Sequence, residues 1–158
     1  MTEFSQASIA GSGSTVDRLL RMRKEELDAL FRDSSAGDTP VGRGKGTVIF
    51  APGTFLARFV ALLAYLVAWR GKVFDGKRGD LLNIVSPFGV RAIRAKVYKD
   101  PSWIDGRDCV VLDYSKTSRV ARWIRDEIRE VAPGAFLGQV FWGRRKVLMF
   151  ALEFPPEG

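Results

Sequence analysis

The spacing of apolar residues changes character along the chain. Between Asp17 and Phe31, Leu19, Leu20, Met22, Leu27, Leu30 and Phe31 sit among charges at roughly helical spacing. This predicts one amphipathic helix, with Thr15 or Asp17 as its N-cap and the run from Gly37 to Pro40 as its end. Residues 44–50 are β-branched and lie between glycines and Pro52-Gly53, which reads as a strand. Residues 55–69 form the most apolar stretch. It is shorter than the roughly twenty residues that cross a bilayer, and Arg58 interrupts it. A long buried helix is predicted there, with a membrane-surface helix edged by Arg58, Arg70 and Lys72 as the other option.

Beyond Gly71 the texture becomes short apolar runs at 72–75, 81–86, 90–99, 108–114, 135–142 and 146–154. Turn signals fall between them at Asp75-Gly76-Lys77, Pro87-Phe88-Gly89, Asp105-Gly106 and Gly143-Arg144-Arg145. Residues 118–123 read as a helical turn. Residues 124–131 fit either period, since Val120, Ile124, Ile128 and Val131 mark a helical face while Pro133-Gly134 is a hairpin turn. Taken as a strand, 124–131 places Arg125, Glu127 and Arg129 on one face and Asp126 and Glu130 on the other. The fold class expected is α+β and mainly antiparallel β. About eight strands form a meander closed into a barrel, which removes exposed edges and leaves room for one small ligand. An N-terminal helix and the apolar helix at about 55–69 accompany it.

Composition narrows the chemistry. The chain has one cysteine, Cys109, and no histidine, which removes disulfide frameworks, Cys/His zinc sites and imidazole acid–base catalysis. Residues 1–14 are polar and rich in Ser and Gly and are expected to be a flexible tail preceding a single domain over 15–158. They lack a basic segment followed by an apolar run, so a cytoplasmic location is expected. Residues 1–40 carry 5 basic and 7 acidic side chains and the remainder 20 and 11, so the folded part is about +9. Its cations are scattered singly through apolar runs, which argues against nucleic acid as a partner.

Several positions are candidates for chemistry. Asp113, Tyr114 and Ser115 end the apolar run from Cys109, at a pocket mouth or as plain caps of the following turn. Arg125, Glu127 and Arg129 would form a neutralising ladder able to grip an anion if they face the lumen, and a solvated set of ion pairs if they do not. Asn83 lies inside Leu81-Leu-Asn-Ile-Val85 and needs partners, either a bulged backbone or a ligand. Trp103 and Trp142 would supply apolar contacts, or ordinary core. Gly42-Arg-Gly-Lys-Gly46 lacks the strand-to-helix setting of a phosphate-binding loop, and no metal site or cofactor is expected.

The stretches Trp69-Arg-Gly-Lys-Val-Phe74, Ser102-Trp-Ile-Asp-Gly106, Val111-Leu-Asp-Tyr-Ser115, Ile124-Arg-Asp-Glu-Ile-Arg-Glu-Val131 and Pro133-Gly-Ala-Phe-Leu-Gly138 resemble small bacterial lipocalin-like (calycin-type) barrel proteins of unassigned function, over about residues 40–154. The resemblance implies a barrel cavity and a hydrophobic ligand and carries over no catalytic residue. The chain departs from secreted lipocalins in lacking a disulfide pair and a signal peptide, and from haem-binding relatives in lacking histidine. The function expected is binding of a small, partly hydrophobic molecule of fatty-acid or polyketide type. Asn83, Trp103, Tyr114, Arg125, Arg129 and Trp142 would contact it. The alternatives are a cofactor-free isomerase, cyclase or decarboxylase using Glu127 or Asp113, and a protein associated with a membrane surface.

Overall fold

The computed structural model describes residues 14–50, 69–85, 90–119 and 121–155. Eight strands follow one another: β1 (Gly42–Phe50), β2 (Trp69–Asp75), β3 (Asp80–Val85), β4 (Val90–Pro101), β5 (Asp108–Asp113), β6 (Ile124–Ala132), β7 (Ala135–Trp142) and β8 (Arg145–Glu153). Each is antiparallel to the next, and β1 also pairs with β8, so the meander closes into a barrel without a free edge. Residues 124–132 are therefore a strand, as one of the two readings of their pattern has it. The stretch expected as a helical turn, 118–123, is irregular where it is described.

Alternation along the strands fixes what faces inward. Val110, Ile128, Gly138 and Phe150 lie side by side across β5 to β8 and belong to the interior. Gly138 has no room for a side chain, because a Cβ there would stand 2.3 Å from the Phe150 ring. The next inward row is Leu112, Asp126, Val140 and Leu148, which puts a carboxylate among apolar neighbours. One end of the barrel is closed by aromatic rings: Phe154 packs edge-on against Phe74 at 5.6 Å and Phe136 at 5.7 Å.

The outer wall is also covered. The single helix expected at the N-terminus is two, α1 (Thr15–Arg21) and α2 (Lys24–Asp33), separated by extended Met22 and Arg23. The cap of α1 is Ser14, not Thr15 or Asp17. Its hydroxyl accepts from the Asp17 amide while the Asp17 carboxylate accepts from the Ser14 amide. Glu26 does the same for the Arg23 amide and starts α2. The charged pattern thus encodes one reciprocal cap, Ser14 with Asp17, and one single-sided cap, Glu26 on the Arg23 amide, inside what reads as one helical period. Val16, Leu19, Leu27 and Phe31 pack on the outward side chains of Leu137, Met149 and Ala151 from β7 and β8. The apolar helix expected at 55–69 lies outside the described residues except for Trp69, which opens β2 instead. Among the described residues no helix is long and apolar enough to cross a membrane.

Candidate functional site

Four polar side chains from separate parts of the sequence meet inside the barrel. Lys72 on β2, Asn83 on β3, Tyr114 just past β5 and Asp126 on β6 are each at most 4% exposed. The Lys72 ammonium donates to Asn83 Oδ1 at 2.7 Å and to Tyr114 Oη at 2.8 Å, and it stands 3.2 Å from Asp126 Oδ2. The rings of Trp69, Tyr114 and Phe150 lie 5.4 to 5.5 Å from the same nitrogen, so the cation is held by three acceptors and three π faces. Trp69 Nε1 adds a bond to Asn83 Oδ1 at 3.2 Å.

The backbone is bent to hold Asn83. The β3–β4 register shifts at Leu82 and Asn83, leaving Ile93 as the extra residue of a bulge with φ of +56°. A β-branched residue in that region is strained. Its carbonyl, freed from the ladder, accepts from Asn83 Nδ2 at 2.9 Å, and the same amide group also donates to Tyr114 Oη at 2.9 Å. Asn83 therefore does satisfy a bulge, and it also links the bulge to the cluster.

The hydrogen-bond inventory is nearly closed. All three ammonium hydrogens of Lys72, both amide hydrogens of Asn83 and the indole N–H have acceptors, and Tyr114 Oη lies 3.5 Å from Asp126 Oδ2. One atom is left over: Asp126 Oδ1 is buried without a hydrogen-bond partner among the described residues. Burial raises the Asp126 carboxyl above its ordinary range, and the Lys72 ammonium and Tyr114 hydroxyl oppose that shift. Burial and the Asp126 charge together push the Tyr114 phenol well up. With an ammonium at 3.2 Å, the carboxylate form is the one the cluster is built to hold.

The charged trio does not join this cluster, and the lumen-facing ladder expected for it is corrected. Because Ile128 occupies the interior, Arg125, Glu127 and Arg129 point to the outer wall, alongside Val111, Gln139 and Leu137. There Glu127 and Arg129 are buried, and Arg125 half-buried, beneath the β4–β5 connection and α2. Glu127 Oε1 accepts from Ser102 Oγ at 2.6 Å. Its Oε2 accepts from the Trp103 amide at 2.8 Å and from Arg125 at 2.9 Å. Arg129 forms a two-bond fork with Asp105, both arms 2.7 Å, and spends its other hydrogens on the carbonyls of Phe31, Arg107 and Asp108. All five guanidinium hydrogens are used, so the residue is a clamp that ties α2 and the 102–107 connection to the wall.

The remaining expected site residues are dispersed. Asp113 lies on the outer side, bonded to Tyr98 Oη at 2.7 Å and to the Ser115 amide. Trp103 lies on the outside, 5.1 Å from Phe141. Trp142 ends β7 half-buried, opposite Ile124 and Arg145 in register. Of the expected residues, Asn83 and Tyr114 meet in the lumen, whereas Arg125, Glu127 and Trp103 meet on the outer wall. Lys72 and Asp126 complete the cluster and were missed, since each lies in a strand that carries other charges, Arg70 and Asp75 in β2 and Arg125, Glu127, Arg129 and Glu130 in β6.

These features define a closed antiparallel β-barrel with a polar cluster buried in its lumen. The chain is similar in structure to a protein from Thermomonospora curvata known from a crystal structure, with a TM-score of 0.62 and 16% sequence identity over 98% of either chain. That likeness shows the fold alone. No protein-family model matches the chain, and comparison with curated proteins finds no match.

Proposed function

We propose that the barrel binds a small, mostly apolar molecule carrying one hydrogen-bond donor, an O–H or N–H, which it presents to Asp126 Oδ1. The observation that carries this reading is the mismatch in the inventory. Every donor of the cluster is already engaged, while one carboxylate oxygen is buried with no hydrogen-bond partner among the described residues. Leaving such an atom unsatisfied costs about 1–3 kcal/mol, more when it is charged, so a ligand donor placed there returns that free energy as affinity. The apolar body would lie along inward residues such as Leu112, Val140 and Leu148, which share the row of Asp126 in the register.

The same accounting refines the ligand class. A fatty-acid carboxylate would bring a second anion to an oxygen that already bears charge, with no free donor to receive it. A neutral alcohol, phenol or hydroxylated polyketide-like compound fits instead. Native mass spectrometry with matched 1-dodecanol and dodecanoate tests this. Retention of the alcohol in preference to the acid at neutral pH is expected. Retention of neither, or preference for the acid, would sink the reading.

A second reading rests on the Asp126 carboxyl being raised by burial beside a phenol and an ammonium. Such a group is suited to proton transfer, which moves the cofactor-free isomerase alternative from Glu127 and Asp113 to Asp126. Uptake of solvent deuterium into an enolisable probe such as 2-tetralone, lost in Asp126→Asn, is its expected sign. Equal uptake in both proteins would dismiss it.

A further inference from the structure

In a closed meander successive connections alternate between the two ends of the barrel. The β5–β6 connection and the β7–β8 turn therefore lie at the same end, and Tyr114 begins the first of them. They also touch, since the Gly143 amide donates to the Trp123 carbonyl at 2.8 Å. Residues 114–123 and 143–145 contain Lys116, Arg119, Arg122, Arg144 and Arg145 and no acidic residue. All five are exposed, and none of them is in an ion pair among the described residues. Two tryptophans stand in the same patch. Trp123 is 56% exposed with the Arg122 guanidinium 4.6 Å over its ring. Trp103, 38% exposed, has Arg125 at 4.3 Å and Arg144 at 4.2 Å.

From this arrangement we infer that the rim at the Tyr114 end is a docking surface for anionic membrane. Five cations on one rim, none of them in an ion pair among the described residues, form a local positive field. Exposed tryptophan beside arginine is the pairing that settles at the level of lipid headgroups, the ring in the apolar boundary and the cation on phosphate. A nucleic acid would share the charge complementarity, but base stacking needs an open aromatic face. Trp103 already carries two guanidiniums against its ring, those of Arg125 and Arg144. The surface lies at the end of the barrel nearest the Lys72 and Asp126 cluster, on the β5–β6 and β7–β8 connections. Docking there would bring that end against the bilayer, whatever the lumen holds.

Sedimentation with phosphatidylcholine vesicles, with and without phosphatidylglycerol, tests the surface. Binding is expected with the anionic vesicles alone, and it should fade at high salt. Each cation removed should cost about fivefold in partitioning, so Arg119→Gln/Arg122→Gln/Arg145→Gln should weaken binding more than a hundredfold while Trp123→Ala weakens it independently of salt. Circular dichroism of the same variants checks that these exposed substitutions leave the fold unchanged. Equal binding to neutral vesicles, no binding to either, or tighter binding to a DNA oligonucleotide than to anionic vesicles at the same salt would overturn the inference. Loss of vesicle binding with ligand retention intact would separate this surface from the lumen site.

Discussion

The ammonium of Lys72 stands 2.8 Å from the phenol oxygen of Tyr114, although 42 positions separate them in the chain. Only closure of the barrel brings β2 opposite the end of β5. The pair sits in a network whose charges are balanced by Asp126 alone among its members, so neither charge can be removed singly without leaving the other buried. Lys72→Met should destabilise the protein by about 3–5 kcal/mol, whereas Lys72→Met/Asp126→Leu should recover a large part of that loss. Urea unfolding of the two variants checks this. Additive losses in the double variant would show that the two groups do not compensate each other.

Arg129 holds the outer wall in the same way that Lys72 holds the lumen, but by geometry that lysine cannot copy. Arg129→Lys should lose the fork to Asp105 and free the carbonyls of Phe31 and Arg107. The expected readout is local: faster amide exchange at Trp103 and Ile104 and faster tryptic cleavage after Arg107, with amides of β7 and β8 remaining protected. Uniform loosening of the whole barrel would contradict the clamp.

Stability should fall on acidification through this clamp. Hydrogen bonds from Arg129 are the largest cause holding the Asp105 carboxyl well below the ordinary 3.8, and they outweigh its desolvation. Since the folded value lies beneath the unfolded one, the unfolded chain takes up the proton first. The contribution is therefore complete above about pH 4 and is lost as pH falls through the depressed folded value. Asp126 works with the opposite sign, because its raised carboxyl gains protons in the folded state first. Asp105→Asn should lower stability at neutral pH and flatten the acid limb of the urea midpoint plotted against pH.

Two further groups should titrate late. Cys109 is fully buried, and desolvation with the nearby Glu127 charge pushes its thiol up to about 12. The thiolate is the reactive form, so Ellman's reagent at neutral pH should react only as fast as the protein opens. Tyr98 is likewise raised to about 12, first by desolvation and then by its bond to Asp113. Asp113→Asn should bring the phenolate absorbance of Tyr98 to lower pH. A prompt thiol reaction in native buffer, or an unchanged phenolate midpoint, would count against the packing described for β4 and β5.

How much of this the sequence discloses depends on the range of the interaction. All eight strands are legible, because alternation and turn residues such as Pro133-Gly134 and Gly143 are local signals. The two-helix start is not, since the Ser14–Asp17 and Arg23–Glu26 caps hide within a continuous helical period. Strand 124–132 predicts correctly that Arg125, Glu127 and Arg129 share a face, but not which face. Inward and outward are equivalent until something covers the outside, and here α2 and residues 102–107 make the outer wall as buried as the lumen. The trio therefore looks like an interior site by charge and burial while the lone Asp126 between its members is the residue inside. Lys72 reads only as a cation at the edge of the apolar stretch for a similar reason: one lysine in Trp69-Arg-Gly-Lys-Val-Phe74 carries no local sign that Tyr114 and Asn83 await it.

The most direct test of the lumen site is calorimetric titration of 1-dodecanol and dodecanoate into the wild-type protein and into Asp126→Asn at neutral pH. The wild type should bind the alcohol with one-to-one stoichiometry and at least about tenfold more tightly than the acid. The near-isosteric amide should remove that preference or reverse it, since it replaces a bare acceptor with a group that can donate. No heat with either ligand, or the same preference in both proteins, would contradict a ligand donor at Asp126 Oδ1.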